Sequence, residues 1–355
     1  MAPVIAALRK MPQFCIRTIS TGQHRELVRS TLDVFGIAPD FDLDVMVHDQ
    51  SLSRLAAAIF EKLDPLLVRE EPSLVLAQGD TTSVMAASLA SFHRGIPFGH
   101  VEAGLRTHRF EDPFPEEMNR VIVGRIAKLH FAPTETARAN LLREGVNGAD
   151  ISVTGNTVID ALLDVAKRQL PCSFPRVPGR KLVLVTAHRR ENFGPPLRRI
   201  CAAIRDIHDK VPDAEFVFPV HPNPNVRDVV MPALSNLDRL HLIEPVDYLS
   251  IVALMKNAYI ILTDSGGLQE EAPALGKPVF VLREHTERPE ALESGVVRIV
   301  GTQSEIISRE IIRVLTDQAA YKASARQILP YGDGRAAVRI AEICSRFLNR
   351  RSVKR

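Results

Sequence analysis

Hydrophobic positions along this chain follow two alternating patterns. Between residues 51 and 70 they fall at Leu52, Leu55, Ala56, Ile59, Leu63, Leu66 and Leu67, one face of a helix. Short unbroken apolar runs bounded by turn residues predict buried strands. In the front half these cover 14–19, 73–78, 97–101, 129–132 and 151–154. In the rear half they cover 182–186, 215–220, 240–243, 259–263, 278–282 and 296–300. Helical stretches lie between them, including 2–10 and 116–127, the latter with Pro115 suited to its first turn. A last helix over about 335–350 carries Ala337, Ile340, Ala341, Ile343, Cys344 and Phe347 on a face that needs burying.

Strands alternating with helices predict an α/β protein with parallel sheets in both halves. Residues 171–180 hold three prolines and a glycine without periodicity, which predicts a linker. The expected organisation is a front domain over 1–170, a rear domain over 171–334 and a final helix over 335–355. The front half opens on a helix. In a doubly wound sheet the first strand lies centrally, so a front domain lacking it leaves ladder groups of two neighbours unpaired.

Composition changes this picture little. The 355 residues are 45% hydrophobic and 25% charged with net charge +3, ordinary for a globular protein and no argument for nucleic acid or membrane. No apolar run approaches the length of a membrane span. Cys15, Cys172, Cys201 and Cys344 are too scattered for a metal site or a disulfide framework, which predicts reduced thiols and a cytoplasmic setting. The first ten residues place their charges after the apolar part, the wrong order for a signal peptide.

The most informative stretch is Leu262-Thr263-Asp264-Ser265-Gly266-Gly267-Leu268-Gln269-Glu270-Glu271. A strand ends, two glycines follow and a helix opens. Free N–H groups of a first helical turn attract anions, and glycine lets phosphate approach the backbone. Glu271, one turn in, is placed to reach sugar hydroxyls. Asp80, Glu102 and His188 each follow a predicted strand, and Glu116 opens a helix after a proline-rich loop. Ligands of open parallel sheets bind outside the carboxyl ends of strands. Any one of these acids is also what a helix cap or solvated turn carries; all together they predict a cleft.

Five segments carry a resemblance: Gln78-Gly79-Asp80-Thr81-Thr82-Ser83, His100-Val101-Glu102-Ala103-Gly104-Leu105-Arg106-Thr107, Pro115-Glu116-Glu117-Met118-Asn119-Arg120, Thr186-Ala187-His188-Arg189-Arg190-Glu191-Asn192 and the glycine turn above. Thr286-Glu287-Arg288-Pro289-Glu290 adds a sixth. In this order, from Met1 to roughly Arg350, the chain resembles the non-hydrolysing UDP-N-acetylglucosamine 2-epimerases. The resemblance implies the glycosyltransferase-B architecture, two Rossmann-like domains facing across a cleft with the last helix crossing back to the first. It implies reversible conversion of UDP-N-acetylglucosamine to UDP-N-acetylmannosamine by elimination and re-addition of UDP, without metal or nicotinamide, in a homodimer.

By the same resemblance Asp80 and Glu116 move the proton at C2, and Glu102 orients or supports the sugar. His188 favours departure of the diphosphate. Ser265, Gly266 and Gly267 hold phosphate, Glu271 binds the ribose and Arg288 adds a cation. Uracil lies near Val246 and Ile251. The chemistry explains the residue types: the C2 proton is poorly acidic, so its removal couples to loss of UDP from C1. A placed acid or base contributes about 10²–10⁴-fold. Crowded carboxylates also push one another's pKa values apart, so one can hold a proton while another accepts.

Two departures stand out. The family opens with a strand and a basic Gly-Thr-Arg-Pro-Glu-Ala-Ile-Lys loop, and this chain starts where that loop ends. A start codon assigned too far downstream is the favoured expectation; a genuine truncation with little activity is the other. Relatives with allosteric substrate binding use segments matching Gln23-His24 and Asp49-Gln50. Asp49 replaces an expected arginine, which predicts loss of that regulation. Rival functions are a hydrolysing epimerase, an epimerase of UDP-diacetamido sugars, a glycosyltransferase of the same fold and a non-catalytic nucleotide-sugar binder.

Overall fold

The structure, a computed structural model, describes residues 1–22, 32–47, 49–111, 113–170, 174, 177–286, 288–292 and 295–352. Gln23, His24, Cys172, Glu287 and most of 171–176 lie outside them. The chain divides into two compact units, Met1–Ala161 with Tyr331–Arg355, and Leu162–Pro330.

Among the described residues the first unit contains six strands in two parallel sheets. β1 (Ile19–Ser20) pairs with β2 (Phe41–Asp42), and β3 (Val75–Gln78), β4 (Phe98–Val101), β5 (Leu129–Ala132) and β6 (Ile151–Val153) lie side by side in sequence order. The strand expected at 14–19 pairs only at its end. Phe14 and Ile16 instead pack against the cluster formed by helices Ala2–Arg9 and Ala336–Ser352. Helix Leu52–Glu70 buries Leu55, Ile59, Leu63 and Leu67 on one stripe, as its spacing predicts, while Leu52 stays exposed.

The C-terminal helix joins this unit through a specific junction. Asp160 accepts the N–H groups of Ala336 and Ala337 at 3.2 and 2.8 Å, satisfying two donors of a helix N-terminus. Gly155 and Gly332 pass so closely that a Cβ on Gly155 would lie 3.0 Å from Gly332 Cα. Ala337, Ile340, Ala341 and Cys344 then fill a core with Val4, Leu8, Val101, Leu129 and Phe131.

Among its described residues the second unit holds a six-stranded parallel sheet: β7 (Lys181–Thr186), β8 (Ala214–Pro219), β9 (Leu240–Ile243), β10 (Ile260–Thr263), β11 (Val279–Val281) and β12 (Val297–Ile299). Their order is β12-β11-β10-β7-β8-β9. Counted within the unit this is 6-5-4-1-2-3, the doubly wound Rossmann arrangement. Winding reverses between β7 and β10, which pair from Val183–Ile260 to Thr186–Thr263. The carboxyl ends of those two strands are where such sheets bind ligands. His188 and Ser265 follow them directly.

Candidate active site

In the first unit two of the candidate acids, Asp80 and Glu102, meet one guanidinium. Gly79, at φ +87, turns the chain out of β3 and sets Asp80 before helix Thr82–His93, which Thr81 caps. Glu102 follows β4 with φ 65, a left-handed backbone that a residue with a Cβ adopts at a cost. Arg120 reaches both: its Nη2 lies 2.7 Å from Asp80 Oδ2 and 3.1 Å from Glu102 Oε2, and its Nη1 donates to the Glu102 carbonyl at 2.7 Å. The guanidinium therefore holds the strained residue by main chain and side chain and balances two carboxylates with one cation. Asn119 Nδ2 donates to the Asp80 carbonyl at 2.8 Å, and Asn156 Nδ2 to Glu102 Oε1 at 3.4 Å.

Glu116 opens helix Glu116–Ile126 and lies half-buried one turn ahead of Arg120, on the same helical face. Pro115 precedes the helix instead of occupying its first turn, and the Phe114–Pro115 peptide is cis. The neighbouring Glu117 is buried and accepts the N–H groups of Thr107 and His108 at 3.0 and 2.9 Å. It ties the turn after β4 to the helix that presents Glu116. Arg106 is a structural residue: it forms a bidentate pair with Glu144 at 2.7 and 2.9 Å, its side chain almost wholly buried.

Beneath the Gly79 turn, His100 Nε2 donates to the Gly79 carbonyl at 2.8 Å. Burial lowers its pKa from 6.5 to about 3, with Arg120 and other cations adding, so the ring is neutral. Its role is to support the turn.

In the second unit the helix expected to open at Leu268 begins two residues earlier, so Gly266 and Gly267 form its first turn instead of a loop before it. Ser265 is the N-cap of helix Gly266–Ala274 without using its hydroxyl for the cap, and its N–H donates to Thr263 Oγ1 at 2.9 Å. Arg189 and Arg288 come in beside Gly266: a Cβ there would sit 3.4 Å from Arg189 Nη2 and 4.0 Å from Arg288 Nη2. Two guanidiniums beside a helix start are an arrangement that favours a dianion. Glu270 holds Arg288 through Nε, and Thr286 Oγ1 accepts the Arg288 N–H at 3.1 Å.

Glu271 is buried, and its Oε1 accepts the Tyr248 hydroxyl at 3.2 Å. Burial pushes its pKa from 4.5 up to about 7, with Glu270 adding and Tyr248 opposing. Val246 and Ile251 are half-exposed, flanking Asp247, which caps helix Tyr248–Asn257. His188, 38% exposed at its side chain, has Nδ1 at 3.5 Å from Asp264 Oδ1 and stacks on His221 with centroids 5.6 Å apart.

Arg120, Glu117, Arg189 and Tyr248 were not singled out by sequence reasoning. Each acts through a partner distant in sequence. For Arg120 the only signal is a cation one turn after Glu116 inside a motif.

One unit is a doubly wound sheet with a helix start and two guanidiniums at its switch point, and the other presents clustered carboxylates, the features of an α/β protein that takes a phosphorylated ligand. The family model described as UDP-N-acetylglucosamine 2-epimerase matches residues 6–345. The UDP-N-acetylglucosamine 2-epimerase of Escherichia coli K12 is 49% identical over 352 residues, covering 96% of this chain and 94% of that one. The crystal structure of the Neisseria meningitidis UDP-GlcNAc 2-epimerase bound to UDP-GlcNAc matches with TM-score 0.88 and 42% identity, over 98% of this chain and 96% of that chain. The S. aureus MnaA co-structure with UDP matches with TM-score 0.86 and 40% identity, over 98% and 93%. The chain belongs to the UDP-N-acetylglucosamine 2-epimerase family.

Proposed function

We propose that this chain interconverts UDP-N-acetylglucosamine and UDP-N-acetylmannosamine without net hydrolysis. A carboxylate takes the proton from C2. The C2–H electrons form the C1=C2 bond, the C1–O bond breaks, and its electron pair leaves on the β-phosphate of UDP. UDP then adds back to C1 as a proton returns to C2 on the opposite face. Atoms and charge balance without a redox partner.

Asp80 and Glu116 serve as the proton-transfer pair, with Glu102 held by Arg120 as support near the sugar. Ser265, Gly266 and Gly267 hold the diphosphate with Arg189 and Arg288, and His188 favours its departure. Glu271 binds the ribose; Val246 and Ile251 border the uracil. The observation that carries this reading is the grouping of Asp80 and Glu102 on one buried arginine, one turn from Glu116, in a chain matching the family along its length. Transfer of a sugar to an acceptor gives no reason for such a group of acids at C2. The proposal includes a homodimer in the cytoplasm; the described cysteines, Cys15, Cys201 and Cys344, are free thiols.

Proton NMR in heavy water with UDP-N-acetylglucosamine tests it. UDP-N-acetylmannosamine carrying deuterium at C2 is the expected product. Accumulating free N-acetylmannosamine and UDP would identify a hydrolase, and binding without exchange a non-catalytic binder. Light scattering of the purified protein tests the dimer.

A further inference from the structure

The second unit contains a buried carboxylate to which the scheme above gives no part. Asp264 ends β10 with no exposed surface. Its two oxygens have different surroundings. Oδ2 accepts the N–H of His188 at 2.8 Å, the N–H of Arg189 at 2.8 Å and Nδ2 of Asn192 at 3.0 Å. That oxygen ties the turn after β7 to the end of β10. Oδ1 has no hydrogen-bond partner among the described residues. It faces Nδ1 of His188 at 3.5 Å, just beyond hydrogen-bonding distance.

A buried acceptor left unsatisfied is unfavourable by about 1–3 kcal/mol, so folded proteins seldom retain one without a use. The imidazole that Oδ1 faces can supply a proton. Its backbone is held by the other oxygen of the same carboxylate, and its ring is stacked on His221 with an 18° angle between planes. A small shift of the ring closes the gap. Burial lowers the pKa of His188 from 6.5; of the charged and titratable groups facing it, Asp264 opposes that shift, and Arg189 and His221 add to it.

We propose that Asp264 is the positioning residue for His188: Oδ1 keeps the ring proton on Nδ1 and stabilises the imidazolium, leaving Nε2 for the departing diphosphate. This rests on the reading of the second unit's turn as the diphosphate site. The competing possibility is that Asp264 only ties the two turns together through Oδ2.

The deciding measurement is made on the unsubstituted protein, with a variant used only for assignment. The tautomer of His188 is read from long-range proton–nitrogen correlations of protein labelled with nitrogen-15 in histidine, assigned by the signal lost in His188→Asn. The Nδ1–H tautomer is expected without ligand, and a raised imidazole pKa on adding UDP. A predominantly Nε2–H ring in the native protein would overturn the proposal. Asp264→Asn keeps one acceptor oxygen but turns an amide N–H toward Nδ1. Its kcat is expected to fall about 10²–10⁴-fold while Kd for UDP changes less than about threefold, with a lower His188 pKa. An unchanged His188 pKa in that variant would confine Asp264 to structure. Full activity of His188→Asn would instead reject the role of His188 itself. Loss of activity in His188→Asn but not in Asp264→Asn would reject only the pairing.

Discussion

Arg120 donates to the main-chain carbonyl of Glu102 at 2.7 Å and to the carboxylate of the same residue at 3.1 Å. Both ends of a residue with left-handed backbone are thus pinned by one side chain, which also meets Asp80 at 2.7 Å. Arg120→Ala would leave two acids side by side without a cation and release the Glu102 turn. We expect kcat to fall about 10²–10⁴-fold and the melting temperature to drop, with UDP affinity little changed. Arg120→Lys restores the charge but not the planar fork and should recover only part of the rate. Steady-state kinetics with thermal melts and UDP titration check this; a wild-type kcat in Arg120→Ala would remove the arginine from the site.

Glu271 should make nucleotide binding and stability depend on pH in linked ways. Burial raises this carboxyl from 4.5 to about 7, so the folded protein holds its proton over a range in which the unfolded chain has lost it. The associated stability is fully present below about 4.5 and is lost as pH rises through about 7. The amount is about 3 kcal/mol. Glu271→Gln should therefore melt higher than the wild type at about pH 8 and show a flatter pH dependence, while binding UDP at least about tenfold more weakly. Ribose hydroxyls donating to the carboxylate favour its charged form, so UDP binding near neutral pH should release protons. Calorimetry in buffers of different ionisation enthalpy measures that release; proton uptake would contradict it.

Acid should weaken the first unit through two buried imidazoles. Burial lowers His100 from 6.5 to about 3 and His130 from 6.5 to about 4. A depressed histidine pKa means that the unfolded chain binds the extra protons, so stability falls as pH drops below about 6.5. At about pH 5 each ring accounts for a loss of about 2 kcal/mol. His130→Gln can keep a donor to the Ala127 carbonyl, which His130 Nε2 meets at 3.1 Å. The stability difference between variant and wild type should then shift by about 2 kcal/mol in the variant's favour between pH 7.5 and 5, by urea unfolding. A difference independent of pH would mean that His130 is not held neutral.

Periodicity located the described strands that are short apolar runs closed by turn residues; Phe41–Asp42, half polar and only two residues long, carried no such signal. The 182–186 run emerges as Lys181–Thr186, and 259–263 as Ile260–Thr263. Failure came at 14–19, where Phe14 and Ile16 pack against a cluster that draws on residues from Val4 to Cys344. The same limit governs the site. Asp80, Glu102 and Ser265 announce themselves because each sits at a strand end, a local property. Asp264 is written in the same motif as Ser265, yet its partners His188, Arg189 and Asn192 lie 72 to 76 residues earlier. Arg189 beside Gly266 and Tyr248 against Glu271 likewise depend on chain segments meeting, which no spacing rule reports.

The Asp160 junction has a consequence for biosynthesis. By the time a ribosome has emitted residue 330, the second unit has all its strands, but the first still lacks the helix carrying Ile340 and Cys344. The portion translated earliest is thus the last to be finished. Until that helix lands, Val101, Leu129 and Phe131 wait with a greasy flank uncovered. The nascent polypeptide is most exposed to chaperones, or to clumping, in that interval.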